Sequence, residues 1–206
     1  EIRAHGIEND ETRYASIMLE LVAALSVHDR LTRGHCERVR AYTDMMIDEL
    51  HIPEADAGKL RWAALLHDVG KLHVPTEVLS KDGRPTDSEW ELLKSHTWQG
   101  DKMIEPLKPW LGEWAATIGS HHERWDGKGY PLGLVGEQIP LSARLMAVAD
   151  VYDALISKRV YKAAFTHLDA VQLILSGKGT QFDPAVIDAF AEIADELYTI
   201  AQEYSN

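Results

Sequence analysis

The chain of 206 residues has a single cysteine, no long apolar run and a shortage of basic residues. Because Cys36 has no partner in the chain, an intramolecular disulfide is excluded and nothing requires an oxidising compartment. A membrane helix needs about 20 consecutive apolar residues, which no segment supplies, and no basic region followed by an apolar segment opens the chain. We therefore expect a cytoplasmic protein without direct membrane insertion.

The charge balance is acidic, with 33 Asp and Glu against 21 Lys and Arg and a formal net charge of -12. A DNA- or RNA-binding protein needs a basic face to neutralise phosphates, so this balance argues against nucleic-acid polymers and anionic membrane surfaces as partners. With 45% hydrophobic and 26% charged residues, the composition is that of a globular protein. The length predicts one large domain, or one domain with an appendage.

The sequence has no convincing stretch of alternating apolar and polar residues, the pattern of a half-buried strand. Apolar residues recur instead at the spacing of an α-helix, and the sequence predicts an all-α fold. Thr86 and Glu89 have the spacing of a capping box, and Asp183 followed by Pro184 is typical of a helix start. The predicted helices cover about 10–28, 87–104, 110–122, 141–157, 167–176 and 184–203. Two more are marked by an apolar stripe over 39–50 and by the apolar residues of 60–69, which Pro53 precedes at a position suited to a first turn.

Residues 123–140 interrupt this helical pattern with four glycines and two prolines. Glycine permits left-handed backbone conformations and close approach of neighbouring chain, so this composition predicts a shaped loop. A long ordered loop in a helical domain is more often functional than not.

Histidines next to aspartate or to one another are the most informative residues. A lone histidine is more often a hydrogen-bonded core residue than a ligand, but adjacent pairs are less easily explained in that way. His67 and Asp68 end the most apolar predicted helix, where a buried carboxylate needs a compensating cation. Asp68 has two oxygens and can bridge two metal ions about 3.5–4 Å apart. Imidazole and carboxylate ligands suit iron, manganese, nickel, cobalt and zinc.

Two motifs carry a resemblance to a known family. The segments HDVGK at 67–71 and HHERWDGKGYP at 121–131 resemble the two signatures of the HD-GYP family, a subgroup of the HD metal-dependent phosphohydrolase superfamily. Similar blocks follow in order: IPLSAR at 139–144, ADVYDAL at 149–155, SKRVYK at 157–162 and GTQFDP at 179–184. The resemblance covers the chain from about Asp29 onward, and the GYP segment makes it far more specific than an HD pair alone.

The resemblance implies an all-α, HD-domain-like helical bundle with the glycine-rich GYP loop over a metal site. It implies a phosphodiesterase that hydrolyses cyclic di-GMP, mainly to linear pGpG, through a hydroxide that bridges two metal ions. Residues 29–206 would form the catalytic domain. Because the chain begins at Glu1 and not at Met, we expect residues 1–28 to form a helix that connects to an upstream sensor or receiver domain.

Ligand roles follow from the resemblance residue by residue. The first ion would be bound by His35, His67, Asp68 and Asp150, and the second by Asp68, His96, His121 and His122. Catalytic roles would fall to Asp68 and Lys71, although a lysine at a helix end can also simply balance the helix dipole. The substrate-binding residues would be Asp29, Lys71, Tyr130, Asp153, Arg159 and Lys162, and Asp153 is also placed to orient a metal ligand.

Position 31 departs from the family pattern. Relatives that resemble the three-metal type carry a glutamate four residues before the histidine that corresponds to His35, whereas this chain has Leu31. Because leucine cannot coordinate a metal, we expect two divalent ions and not three. The resemblance favours iron or manganese, and nickel, cobalt and zinc also suit the ligands.

Two other functions stay open. One is a cyclic di-GMP receptor with little turnover, favoured by the missing glutamate at position 31, and the other is hydrolysis of 3',3'-cyclic GMP-AMP. A diguanylate cyclase with a GGDEF domain is a further expected partner, through the glycine-rich loop. The stripe of Ile17 and Leu21 would either dimerise or continue a helix from an upstream domain.

The tryptophans are expected to be structural, with one exception. Trp62, Trp90 and Trp114 stand at helical positions and are interpreted as core residues, whereas Trp125 lies in the glycine-rich loop and is the candidate for stacking on a base. Cys36 is expected to be a small buried hydrophobe.

Overall fold

The computed structural model describes residues 10–157 and 164–204; within the second helix, the side chains of residues 30–33 lie outside the description. The described chain consists of α-helices joined by turns and short 3₁₀ segments, with two isolated β-bridges and no β-strand in these ranges. The predicted all-α fold is confirmed. Among the described residues, no helix combines the length and the apolar character needed to cross a bilayer.

The α-helices of the described chain are α1 Asp10–His28, α2 Arg30–Glu49, α3 Glu54–Leu66, α4 Thr76–Leu79, α5 Asp87–Lys94, α6 His96–Met103, α7 Lys108–Leu111, α8 Ala116–Ser120, α9 Leu141–Ile156, α10 His167–Ser176, α11 Pro184–Glu192 and α12 Ala194–Glu203. Short 3₁₀ helices lie at Val69–His73, Glu105–Leu107, Gly112–Ala115 and Gly136–Gln138.

The predicted helix starts at Thr86 and Asp183 are confirmed. The Glu89 backbone N–H donates to Thr86 Oγ1 over 3.3 Å, and the Thr86 N–H donates to Glu89 Oε2 over 2.7 Å, which completes the capping box. Asp183 Oδ1 accepts a hydrogen bond of 2.8 Å from the Ala185 N–H at the start of α11. Each cap satisfies backbone donors that would otherwise lack partners in the first turn.

Helix continuity is where the sequence predictions are wrong. The helix predicted over 110–122 is broken, since Gly112 has a φ of 60° at the end of α7 and leaves the helical conformation there. The helix predicted over 184–203 breaks at Ile193, whose φ of -111° and ψ of 9° lie outside the helical range. The helix expected from Asp87 to about residue 104 is divided at Ser95 into α5 and α6.

Helix α9 is the centre of the core. It packs against α2, α8, α10 and α11, and most of its side chains are buried. Tyr152 of α9 makes edge-to-face ring contacts with Tyr42 of α2 and Phe190 of α11, at centroid distances of 5.3 and 5.5 Å. Aromatic pairs in this geometry add about 0.5–1.5 kcal/mol each beyond the burial of their surface. This packing holds Asp150 and Asp153 of α9 at a fixed position beside α2.

Helix α1 packs along the same core. Met18 and Leu25 are buried, and Ile17 and Leu21 are partly buried against the core cluster. His28 Nε2 lies 2.8 Å from the backbone oxygen of Val74 and ties the end of α1 to the segment after α3. Ile17 and Leu21, which were considered for dimerisation, therefore pack largely against the core of the same chain. The connection of α1 to an upstream domain stays a prediction.

Gly70 lets the segment after α3 approach α6. A Cβ atom at this position would lie 1.9 Å from the backbone oxygen of His96 and 2.5 Å from the backbone nitrogen of Gly100. No side chain fits at such distances, so the contact between these two backbones depends on glycine. This contact sets how far His67 and Asp68 lie from His96.

Candidate metal centre

Two groups of side chains with metal-binding donor atoms face each other at the ends of helices. The first cluster consists of His35, His67 and Asp68, and the second cluster consists of His96, His121 and His122. Within each cluster the donor atoms lie within 4.8 Å of one another. Helix α2 supplies His35, the end of α3 supplies His67 and Asp68, the first residue of α6 is His96, and His121 and His122 follow α8 directly.

Asp68 lies between the two clusters with one oxygen towards each. Its Oδ2 is 3.5 Å from His67 Nε2 and 3.8 Å from His35 Nε2, whereas its Oδ1 is 3.6 Å from His96 Nε2. A carboxylate with its two oxygens turned to two groups of imidazoles has the arrangement needed to bridge two ions.

The hydrogen bonds of the histidine rings leave one nitrogen of each for a ligand. The Nδ1 atoms of His67, His96 and His121 lie 2.7, 2.6 and 3.0 Å from the backbone oxygen three residues earlier. A carbonyl oxygen only accepts, so each Nδ1 carries the proton and each neutral ring has its lone pair on Nε2.

The lone pairs of His96 and His121 point at each other, since their Nε2 atoms lie 3.2 Å apart. In the other cluster, His35 Nε2 lies 3.3 Å from His67 Nε2. Two ligand nitrogens held by one ion at about 2.0–2.1 Å in tetrahedral geometry are separated by about that distance. A cation between the rings of His96 and His121 would satisfy buried acceptors that otherwise face each other. The first cluster combines two imidazoles with carboxylate oxygens within 4 Å, so the residues present fit a metal in each cluster.

Asp150 and His122 complete the two groups. Asp150 Oδ1 lies 3.3 Å from His35 Nε2, which adds a second carboxylate to the first cluster. The His122 ring lies 4.2 Å from that of His121 and 5.0 Å from that of His96, measured between centroids. The structure thus brings together all seven residues named as metal ligands from the sequence.

Asp153 orients His35 from behind. Its Oδ2 accepts from His35 Nδ1 at 2.8 Å and from Arg38 Nη2 at 2.9 Å, and its Oδ1 accepts from Arg38 Nε at 2.6 Å. The carboxylate is only 1% exposed and its hydrogen-bonding capacity is taken up inside the protein. This burial corrects the expectation that Asp153 contacts substrate directly; the geometry favours the orienting role.

Burial and charge set the protonation of the site. Burial lowers the pKa of His96 and His121 and lowers that of His122 to about 4, so these rings are neutral at pH 7. For Asp68, burial alone would raise the pKa, but the nearby Lys71 and histidines hold it well below its ordinary value. Burial alone would also lower the pKa of His35, but its hydrogen bonds to Asp150 and Asp153 raise it to about 9. Neutral imidazoles and an ionised carboxylate are the states in which metal ligands bind, so His35 would release a proton on binding a metal.

Lys71 points into the site. Its Nζ donates to Asp68 Oδ2 over 2.6 Å. Burial alone would lower the pKa of Lys71, but the Asp68 carboxylate raises it, so the ammonium stays charged at neutral pH. This ion pair is a more specific use of the lysine than balancing the dipole of α3.

A cavity of about 510 Å³ opens onto the centre. His121, His122 and Asp150 line one part of it, and Tyr130 of the glycine-rich loop lines another. The Tyr130 ring stacks on His122 with centroids 4.8 Å apart and an interplanar angle of 27°. A substrate in the cavity would therefore meet the metal ligands and the loop together.

Comparison with known sequences assigns the chain to a family. The sequence matches the HD domain family over residues 20–186. The chain belongs to the HD domain family. It is 38% identical over 206 residues to a probable cyclic di-GMP phosphodiesterase of Vibrio cholerae, covering 93% of this chain and 47% of that protein. It is 35% identical over 185 residues to the 3'3'-cGAMP-specific phosphodiesterase 2 of the same organism, covering 89% of this chain and 35% of that protein.

Solved structures agree on the fold of this HD domain. Bd1817, described as an HDG"Y"P protein from Bdellovibrio bacteriovorus, superposes with a TM-score of 0.64 at 18% identity, over 94% of this chain and 75% of that one. The predicted membership of the HD-GYP subgroup is confirmed by these comparisons. The chain spans less than half the length of both Vibrio cholerae relatives.

Of the six predicted substrate residues, Tyr130 lines the described cavity, and Lys71 and Asp153 lie beside the metal ligands without being part of its lining. Asp29 lies at the junction of α1 and α2, outside the residues that line the cavity in the described ranges. Arg159 and Lys162 lie outside the described residues, as does the side chain of Leu31. Their roles stay predictions.

Glu123 is a buried carboxylate that the sequence analysis missed. Its Oε1 accepts from the backbone N–H groups of Leu132 and Gly133 at 2.7 and 3.2 Å, and its Oε2 accepts from that of Leu134 at 3.0 Å. These bonds fold the glycine-rich loop back on itself next to His122. An acidic residue at the start of a glycine-rich loop was the available signal.

Trp90 corrects the interpretation of the tryptophans. Trp114 is buried as predicted, but Trp90 is 47% exposed and lines the cavity of the HD domain. Trp125, the expected stacking residue, lies near Gly136 and 5.8 Å from the Arg144 guanidinium, and is not part of the described cavity lining. Cys36 is buried, which confirms its predicted packing role.

Proposed function

We propose that this HD domain is a metal-dependent phosphodiesterase that hydrolyses cyclic di-GMP, mainly to linear pGpG. The observation that carries the proposal is the Asp68 carboxylate, which turns one oxygen to each of two histidine clusters beside an open cavity. The name of the Vibrio cholerae relative at 38% identity supports the same substrate.

We propose two divalent ions, iron or manganese. The first would be held by His35, His67, Asp68 and Asp150, and the second by Asp68, His96, His121 and His122. Ions held in this way would supply a nucleophile from water near neutral pH and would neutralise charge on the phosphate. The two-ion count rests on Leu31, which stands one helical turn before His35 in α2 and offers no ligand atom.

Side chains other than the metal ligands would contribute a positive charge and would position groups around the metal centre. Lys71 holds a positive charge 2.6 Å from Asp68, where it can donate to a phosphate oxygen or to the departing ribose oxygen. Tyr130 covers His122 and closes one side of the cavity, which limits access of bulk water to the second cluster. Asp153 keeps His35 Nδ1 engaged so that its Nε2 faces the centre.

The test is product analysis on protein reconstituted anaerobically with iron or manganese, with metal counted on the same sample. We expect linear pGpG with about two ions per chain. Asp68→Ala should lose turnover by more than about 100-fold together with bound metal, because even residues that only support ligands cost 10–100-fold. Asp44→Ala, which removes a carboxylate paired with Arg40 and Arg61 away from the site, serves as the control.

A fully metal-loaded protein that binds cyclic di-GMP without product over hours would overturn the enzyme and favour the receptor. The same assay with 3',3'-cyclic GMP-AMP tests the second substrate, which the name of the relative at 35% identity supports. A kcat/KM higher for the hybrid dinucleotide would move the assignment to that class.

The arrangement of the whole protein is also proposed. We infer that residues 29–206 form the catalytic domain and that α1 leads to an upstream sensor or receiver domain, because the chain spans less than half of the two Vibrio cholerae relatives. Dimerisation and contact with a diguanylate cyclase through the glycine-rich loop remain proposals of the same kind.

A further inference from the structure

The cavity has a second wall that belongs neither to the metal ligands nor to the GYP motif. Helix α5 contributes Trp90 and Lys94, which stand four residues apart and so lie on one face of the helix. This face lines the same cavity of about 510 Å³ as His121, His122 and Asp150.

Trp90 is a large apolar side chain that is not buried in the core. It is 47% exposed, and its ring meets that of Tyr130 edge to face at a centroid distance of 6.4 Å and an angle of 74°. Tyr130 in turn stacks on His122, so the aromatic rings form a continuous row from the metal ligands to α5. A large aromatic side chain left open on a cavity wall is typical of a binding surface.

Lys94 adds positive charge to this wall. Its Nζ lies 5.9 Å from the centre of the Tyr130 ring and 2.7 Å from Glu91 Oε1, a carboxylate on the exposed side of the helix. Exposed ion pairs of this kind are weak, so the ammonium can turn to a phosphate at little cost. Lys128 and Arg124 line the same cavity, so three basic side chains are available there beside the carboxylates of Glu123 and Asp150.

We propose that Trp90 and Lys94 form a recognition wall for the nucleotide half that is not cleaved, with Trp90 stacking on its purine base and Lys94 contacting its phosphate. The inference rests on the proposed function. It names residues that would set the affinity for the dinucleotide and would not take part in the hydrolytic step. A cyclic dinucleotide presents two bases and two phosphates, so a site with metals under one phosphate needs a second surface for the rest. An indole beside a lysine supplies the stacking plane and the charge that such a half requires.

Helix α6 offers a matched control. Trp98 is 43% exposed and carries Lys102 Nζ 4.5 Å above its ring, but it is not among the described residues that line the cavity. Replacing Trp98 therefore removes a similar indole and a similar cation contact without touching the wall.

The experiment compares Trp90→Ala, Trp90→Phe and Trp98→Ala, each loaded with manganese or iron. We expect Trp90→Ala to raise the KM for cyclic di-GMP by about 5- to 100-fold, the effect of losing one stacked base, with kcat within about threefold and bound metal unchanged. Trp90→Phe should recover most of the affinity, and Trp98→Ala should behave like the unchanged protein. Circular dichroism checks that each variant is folded.

Hydrolysis of bis(4-nitrophenyl) phosphate, which has no purine, separates the wall from the chemistry. All three variants should cleave it at the same rate as the unchanged protein. If the unchanged protein cleaves this ester but neither binds nor cleaves cyclic di-GMP, the proposed function fails. If it cleaves cyclic di-GMP and Trp90→Ala leaves the KM unaltered, the recognition wall is wrong while the function stands.

Lys94→Met tests the charge separately, with Lys102→Met as its control. We expect Lys94→Met to raise the KM for cyclic di-GMP and to weaken the dependence of KM on salt, because one phosphate contact is lost. An unchanged salt dependence would remove Lys94 from the proposal.

Discussion

At the scale of single residues, the centre depends on carboxylates whose partners lie inside the protein. Asp153 is the clearest case, because its hydrogen bonds to His35 and Arg38 fix a ring whose other nitrogen faces the first cluster. Loss of such a partner leaves the ligand present but free to rotate, which lowers metal affinity without removing a donor atom.

We therefore expect Asp153→Asn to weaken one metal site selectively. Asparagine has a single acceptor oxygen and no charge, so His35 and Arg38 can no longer both be satisfied. Affinity at the first cluster should fall by about 10–100-fold, while the second cluster still fills. Metal titration with counting of bound ions checks this, and Asp44→Asn is the control. Two tightly bound ions in both variants would contradict the orienting role.

The same scale shows why four of the proposed ligands stood out in the local sequence, whereas the ligand roles of His35, His96 and Asp150 came from the family resemblance and Trp90 was not recognised. His67, Asp68, His121 and His122 stand in adjacent pairs, so local sequence alone marks them as unusual. The periodicity around Trp90 shows which face of α5 it shares with Lys94, but not which element covers that face. Glu123 was missed since its partners are backbone N–H groups, which every residue type carries.

At the scale of elements, two backbones in close contact set the spacing of the clusters. Gly70→Ala would place a Cβ 1.9 Å from the His96 backbone oxygen, so either α6 or the segment after α3 must move. We expect a loss of more than about 2 kcal/mol in the free energy of unfolding, together with weaker metal binding, since overpacking and backbone shifts cost about 1–3 kcal/mol or more.

Gly58 in α3 is the matched control, because a Cβ there would meet nothing within 4 Å. Gly58→Ala should stabilise the protein by up to about 1 kcal/mol through helix propensity alone. Urea unfolding of Gly70→Ala and Gly58→Ala, together with the metal content of each, measures the two expected effects. Equal stability of the two variants would show that the close contact is not required.

The glycine-rich loop is held as an element by Glu123. Glu123→Gln replaces one acceptor oxygen by a donor that faces backbone donors, and burying such a mismatch costs about 1–3 kcal/mol. Hydrogen exchange of residues 123–140 should become faster, and the KM for cyclic di-GMP should rise as Tyr130 loses its fixed place. Glu137→Gln, an exposed carboxylate in the same loop, should do neither. Unaltered exchange in Glu123→Gln would contradict the role of the carboxylate.

Helix boundaries show the limit of the sequence at this scale. The capping signals at Thr86 and Asp183 act within four residues and were predicted correctly. The break at Ile193 follows from packing of α11 and α12 against different parts of the core, for which no local residue pattern provides a signal. Gly112 could have indicated the break in the helix predicted over 110–122, but a glycine within a periodic stretch is often tolerated in a helix.

At the scale of the whole molecule, the ligands join distant parts of the chain. His35 and Asp150 lie on α2 and α9, while the remaining ligands come from the ends of α3, α6 and α8. Because these positions approach one another only in the folded chain, metal binds the native state far more tightly than the unfolded state.

Metal loading should therefore raise the melting temperature. A free metal concentration about 1,000 times Kd stabilises by about 4 kcal/mol, which for a domain of this size corresponds to about 8–16 °C. Calorimetry on chelator-treated and manganese-loaded protein measures the shift. Magnesium at the same concentration should have little effect, since it prefers oxygen ligands. An equal shift with magnesium would argue against the histidine clusters as the binding site.

A carboxylate shared between two sites makes them one equilibrium. If two ions bind as proposed, Asp68 would offer one oxygen to each, and its ion pair with Lys71 would also respond to the first ion, so the affinity for the second ion would change. Thermodynamic reciprocity then requires the second ion to change the affinity for the first by the same factor. A change that weakens one cluster would then also lower the affinity of the other by the coupling factor, so titrations of the two proposed sites have to be fitted as linked equilibria.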